Sequence, residues 1–105
     1  MVTVSVMYPH SEGCTFDMTY YRDTHMQLVR ELIGPALKGQ RAELGIAGGA
    51  PGSPPQFIAF GHLLFDSVEA AGQALQAHAP ELMGDIPNFT NVQPVIQFSE
   101  ITLDS

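Results

Sequence analysis

The run QFIAFGHLLF at residues 56–65 restricts the fold more than any other part of this chain. It is apolar and aromatic, closed off by Pro54-Pro55 before it and Asp66-Ser67 after it, and too short for a long helix. Such a run reads as a strand in the middle of a sheet. A strand apolar on both faces needs neighbours along its edges and cover on at least one face. The rest of the chain supplies both. VTVSVMY at 2–8 begins with apolar and polar residues in alternation and is rich in β-branched side chains, so it is a second strand. Residues 41–46 alternate more weakly, with Ala42, Leu44 and Ile46 on one face, and read as a third. Residues 92–103 close the chain as a fourth, with Val95, Gln97, Ser99 and Ile101 sharing a face and Pro94 confined to the start or to an edge.

Cover comes from two helices. Asp17 caps the first, and Met18, Tyr21, His25, Leu28, Val29, Leu32 and Ile33 recur at helical spacing until Gly34-Pro35 stops it. Asp66-Ser67-Val68-Glu69 resembles a capping box with Asp66 as the cap, opening a second helix that carries Val68, Ala71, Leu75 and Leu82 on one side. Residues 48–55, rich in Gly and Pro, form a loop, and residues 84–89 a turn. The order β-α-β-β-α-β is the ferredoxin-like split arrangement, an α+β fold with a four-stranded antiparallel sheet and two helices on one face. A length of 105 residues makes 1–105 a single domain. The strands are apolar enough that the face left open by the helices is expected to meet a second copy, giving a homodimer.

Composition excludes several functions. Lys plus Arg number 4 against 11 Asp plus Glu, a formal net charge of −7, and every charged residue after Arg41 is acidic. Nucleic-acid binding needs a basic footprint that this chain lacks, and an acidic membrane surface would repel its C-terminal half. No run approaches the roughly 20 apolar residues of a membrane helix. The single cysteine, Cys14, permits no internal disulfide, and with no secretory signal at the start it points to the cytoplasm.

Chemistry concentrates in FDMTYYRDTHMQL at 16–28. Tyr21 and His25 are four apart and share an otherwise apolar helix face, which aims the imidazole between helix and sheet. Burial disfavours an imidazolium, and a neutral ring beside a phenol can serve as general base or acid on an aromatic or lactone-like substrate. A lone histidine on an apolar face is, however, more often a hydrogen-bonded structural group. His62, mid-strand with Ile58 and Phe60 on its side, would approach His25 if that side faced the helices, and is otherwise bonded across the sheet. His10 and His78 are expected to face solvent. No histidine pair has the spacing of a helical zinc site, so neither a metal nor a cofactor is expected.

Phe16-Asp17, Tyr20-Tyr21 and His25 with the Gly34-Pro35 stop resemble the start of the EthD family, named for ethyl tert-butyl ether degradation. Asp85-Ile86-Pro87-Asn88-Phe89-Thr90-Asn91 and Gln93-Pro94-Val95-Ile96-Gln97 are similar to its closing segment, and the likeness spans nearly the whole chain. The resemblance implies a ferredoxin-like fold in a homodimeric α+β barrel and an association with oxidative degradation. It marks Tyr20, Tyr21 and His25 as characteristic positions without assigning them a role. Met26-Gln27 departs from the family, in which a second histidine or a proline often follows His25.

These readings converge on a pocket between helices and sheet for a small apolar or aromatic metabolite. His25 would be acid or base with Tyr21 orienting, and Tyr20, Phe60 and His62 would contact the ligand, in a monooxygenase-like oxidation without cofactor or in a proton transfer of the isomerase or cyclase type. The alternative is a non-enzymatic binding or accessory subunit of a degradation system in which His25 is structural.

Overall fold

The computed structural model describes all 105 residues. Four strands, β1 (Val2–Pro9), β2 (Gly39–Leu44), β3 (Phe57–Phe65) and β4 (Val95–Glu100), form one antiparallel sheet in the order β2-β3-β1-β4. As the apolar pattern requires, the longest strand, β3, is central, held between β1 and β2. Two helices cross one face: α1, residues 18–33, and α2, Val68–Asp85. The ferredoxin-like α+β order expected from the sequence is therefore the observed fold.

The helix-facing residues are Val2, Val4, Val6 and Tyr8 of β1 and Ala59, Gly61, Leu63 and Phe65 of β3, which form the core with Tyr21, Val29 and Ala71. Ile58, Phe60, His62 and Leu64 alternate onto the other face, which no helix covers. That settles the parity of β3 against a meeting of His62 with His25. His62 instead lies between Ser5 Oγ, 3.2 Å from its Nδ1, and Glu43 Oε1, 3.3 Å from its Nε2, and stacks on Phe60.

Three local features differ from expectation. The cap of α2 is Ser67, whose hydroxyl accepts from the Ala70 N–H, because Asp66 lies one residue too early to reach the first free amide. Strand β2 begins two residues before 41 and ends at Leu44, leaving Ile46 outside the sheet and exposed. His78 is half-buried rather than fully in solvent. Pro80 lies inside α2 without ending it. No helix is long and apolar enough to cross a membrane.

Candidate active site

Helix α1 is not uniformly α-helical. Its first turn, Met18–Tyr20, and its last stretch, Met26–Ile33, are α, but Tyr21–His25 is a π-helical turn in which the Met26 N–H donates to the Tyr21 carbonyl. A π turn inserts one residue into the helical repeat, and such insertions are frequent at functional sites. Here the extra residue moves the buried stripe: Tyr21, His25, Met26, Val29 and Ile33 are buried, whereas Leu28 and Leu32 of the regular α pattern are only half-buried. The widened turn stacks the Tyr21 and His25 rings at 5.4 Å and 16°.

His25 is 6% exposed and its Nδ1 lies 2.8 Å from Asp85 Oδ2. Asp85 comes from the C-terminal end of α2, where the helix dipole opposes a carboxylate. It is stabilised there by three hydrogen bonds: from His25, from the Tyr20 hydroxyl at 2.7 Å and from Asn88 Nδ2 at 2.9 Å. Burial pushes the Asp85 carboxyl up, but the bonds from Asn88, His25 and Tyr20 outweigh it and hold it below the ordinary carboxylate value. A carboxylate at Nδ1 fixes the imidazole as the Nδ1–H tautomer and leaves the Nε2 lone pair free.

Nε2 makes no hydrogen bond within the chain. The one fully enclosed side-chain polar atom without a partner is Thr3 Oγ1, so Nε2 borders open space. His25 also lines a cavity of about 100 Å³ between the helices and the sheet. Val4, Val6 and Tyr8 line it from β1, Tyr21, His25 and Met26 from α1. No charged side chain lines it, and Met83 and Ile96, both about half-exposed, mark its mouth.

Phe89 packs the site from behind, 4.8 Å from His25 and 5.0 Å from Tyr21 between ring centres. The segment carrying it is tied to the start of α1 by the Asp17 N–H to the Phe89 carbonyl, 2.7 Å, and by Thr90 Oγ1 to the Thr15 carbonyl, 2.6 Å. The two motifs that are far apart in sequence thus form one structure.

Of the five residues singled out in the sequence, the structure brings Tyr21 and His25 to the cavity. Tyr20 lies behind them on Asp85, and Phe60 and His62 stand on the opposite face of the sheet. Sequence reasoning missed Asp85, Asn88 and Tyr8 as members of the site. An aspartate in the last turn of a helix, against the dipole, was the available signal for Asp85. No group of three or more His, Cys, Asp or Glu is placed to hold a metal ion.

All three tyrosines are perturbed in the same direction. Burial pushes Tyr21 up to about 12, with a hydrogen bond from Tyr8 acting the other way. Burial, then the neighbouring Tyr21, raises Tyr8 further, and the hydrogen bond to Asp85 raises Tyr20. A phenol whose folded value lies above its unfolded one, about 10, contributes stability below the unfolded value, and that stability is lost as the pH climbs through the folded one. An ultraviolet pH titration of the folded chain should therefore show no phenolate step centred near the ordinary tyrosine value. Phenolate should appear at higher pH together with loss of the circular-dichroism signal, and a step near the ordinary value with the fold intact would contradict these environments.

A family model described as EthD domain matches residues 15–93. The crystal structure of an EthD-like protein from Ralstonia eutropha JMP134 superposes with a TM-score of 0.93 at 41% identity, covering 99% of this chain and 94% of that one. A protein of the ethyl tert-butyl ether (EthD) family from Bacillus halodurans C-125 gives 0.66 at 21% identity, with 97% and 99% covered. HapK from Hahella chejuensis gives 0.61 at 10% identity, with 100% and 97% covered, and at these lower identities the likeness is one of fold alone. No functionally curated protein matches the chain significantly.

Proposed function

The chain belongs to the EthD family, and from that premise we propose that it binds a small, mainly apolar metabolite in the cavity and moves a proton on it with His25. The observation that carries this reading is the Nε2 of His25, unpartnered at the wall of an apolar cavity while Asp85 occupies Nδ1. A purely structural histidine more often has its buried nitrogens paired. Pockets of this kind place a few polar groups in an apolar lining to orient a ligand. Tyr21, stacked on His25, orients the ring and the ligand together.

Ligand-observed NMR with small neutral compounds tests the reading. Binders should shift the His25 ring signals and lose their effect in Met83→Trp or Ile96→Trp, which block the mouth. Binding that survives both blocking variants would put the ligand elsewhere and overturn the proposal. The volume of about 100 Å³, below the roughly 150 Å³ of a dry cavity that admits benzene, favours one second reading. In it the chain is a binding or accessory subunit and His25 is structural. His25→Ala then fails to fold rather than folding without activity.

The open sheet face supports a homodimer. Ile58 and Phe60 are only half-buried there and Val95 is half-exposed beside Met7, an apolar area best removed from water by an identical face across a two-fold axis. Sedimentation should give twice the chain mass of 11.3 kDa, and Phe60→Lys should reduce it to a single chain. A monomeric parent chain would end the dimer assignment. The one free thiol, Cys14, suits the reducing cytoplasm.

A further inference from the structure

Strand β4 is left open on the side where the rest of the sheet is covered. Ile96 stands opposite Val6 and Phe98 opposite Val4, so both turn toward the helices. Yet Ile96 is 45% and Phe98 41% exposed, because α2 packs on β1 and β3 and leaves the β4 edge bare. Val68 and Met83, near the two ends of α2, are exposed to a similar degree. These four side chains flank a furrow between α2 and β4. At one end Met83 and Ile96 border the cavity that His25 lines, and at the other Val68 and Phe98 border an open pocket with Ser99 and Glu100. The floor between them is continuous, since Val6, Val4 and Val2 follow one another on one face of β1 and pair with Ile96, Phe98 and Glu100. From Ile96 to Glu100 the strand advances about 13 Å. Large apolar side chains left exposed together in this way mark a binding surface.

We propose that this furrow holds the aliphatic tail of the ligand whose polar end lies at His25, so that the ligand is an elongated neutral amphiphile rather than a compact aromatic. The proposal rests on the reading of His25 as the polar contact of the cavity. Size favours a tail, because the cavity of about 100 Å³ is smaller than the roughly 150 Å³ that admits benzene. An unbranched chain needs only a narrow passage. Continuity favours it too, since the furrow begins at Met83 and Ile96, and a chain leaving the cavity by its mouth enters it directly. Charge sets the class. No lysine or arginine lines the cavity or the far pocket, and Asp66 and Glu100 stand at the far end. A carboxylate on the ligand would meet no cation at either end, and leaving water unpaired costs more than a tail's contacts return. A hydroxyl suits the near end, where Asp85 on Nδ1 leaves the Nε2 lone pair of His25 free to accept. Along the furrow, each methylene exchanges water for an apolar wall.

The experiment titrates the full chain with butan-1-ol, hexan-1-ol, octan-1-ol and decan-1-ol and follows the His25 ring signals by NMR. Affinity should rise roughly two- to fourfold with each added methylene, and so at least about 50-fold from butan-1-ol to decan-1-ol. Phe98→Asp and Val68→Asp lie on opposite walls of the furrow at exposed positions. Each should weaken decan-1-ol roughly tenfold or more and leave butan-1-ol unchanged. A flat series, or a gain that survives both variants, would overturn the tail assignment while leaving the cavity as a site for small ligands. Decanoate binding as tightly as decan-1-ol would overturn the neutral class, and that comparison needs no variant. If either variant lowers the sedimenting mass while decan-1-ol binds as before, the furrow is a contact between copies and the proposal fails. Failure of every alcohol, butan-1-ol included, to perturb His25 would overturn the functional reading beneath it.

Discussion

Replacing Asp85 with asparagine should leave the chain folded and remove nearly all proton transfer at His25, a loss of roughly 10²- to 10⁴-fold. The carboxylate can only accept, so it selects the Nδ1–H tautomer. A carboxamide of the same shape can donate its N–H to Nδ1 instead, which puts the hydrogen on Nε2 and removes the lone pair that faces the cavity. Asp85→Ala should go further. It strands the buried Nδ1–H 2.8 Å from where its acceptor stood, at a cost of about 1–3 kcal/mol, while Tyr20 and Asn88, nearer the surface, recover bonds to water. The acid limb of the stability profile provides an independent check. The folded Asp85 carboxyl sits below its ordinary value, so its contribution is present above the unfolded value and is lost as pH falls through the folded one. Denaturant unfolding from neutral to acid pH should show that loss in the parent chain and a shallower one in Asp85→Asn. Equal acid limbs, or full activity in Asp85→Asn, would refute the dyad.

The fold was legible in the sequence because its signals are local and agree with one another. Gly34 at the end of α1 stops the helix as expected, with φ of 71° that suits glycine, although its ψ of −141° is not that of the left-handed helical cap. The β-branched alternation of β1 and the apolar run of β3 point to neighbouring strands, and they pair from Val2 with Phe65 onward. The site was less legible for three physical reasons. Both faces of β3 are apolar, so alternation alone cannot say which one meets the helices. The decisive clue is size: Ala59 and Gly61 are the small residues of β3, both buried on the helix side, and Gly61 lies under the Tyr21 ring of α1. A π turn leaves no mark in a pattern read at the α period, which is why Leu28 took the place of Met26 in the expected buried stripe. Asp85 lies 60 residues from His25, and only the tertiary fold pairs them. Family resemblance drew attention to both segments but not to the bond between them.

Gly61 should prove the least replaceable residue of the sheet. A methyl group built at its Cα would overlap the hydroxyl of Tyr21, a rigid ring held at 2% exposure among Tyr8, Phe16 and Phe89. The strand cannot retreat, since Gly61 pairs with Val6 on one side and Ala42 on the other. Gly61→Ala should therefore cost about 1–3 kcal/mol as an overpacking substitution. Displacing Tyr21 also moves the ring stacked on it, so proton transfer at His25 should fall along with stability. A second substitution separates this cause from the general preference of strands for other residues. Tyr21→Phe removes the overlapping oxygen, so added to Gly61→Ala it should restore stability. The two changes in contact should thus show a favourable coupling of about 1 kcal/mol or more in a double-mutant cycle. Additive losses would mean that Gly61 is present for its backbone alone. Recovery of stability without recovery of proton transfer at His25 would instead locate the Tyr21 hydroxyl, rather than its ring, in the chemistry of the cavity.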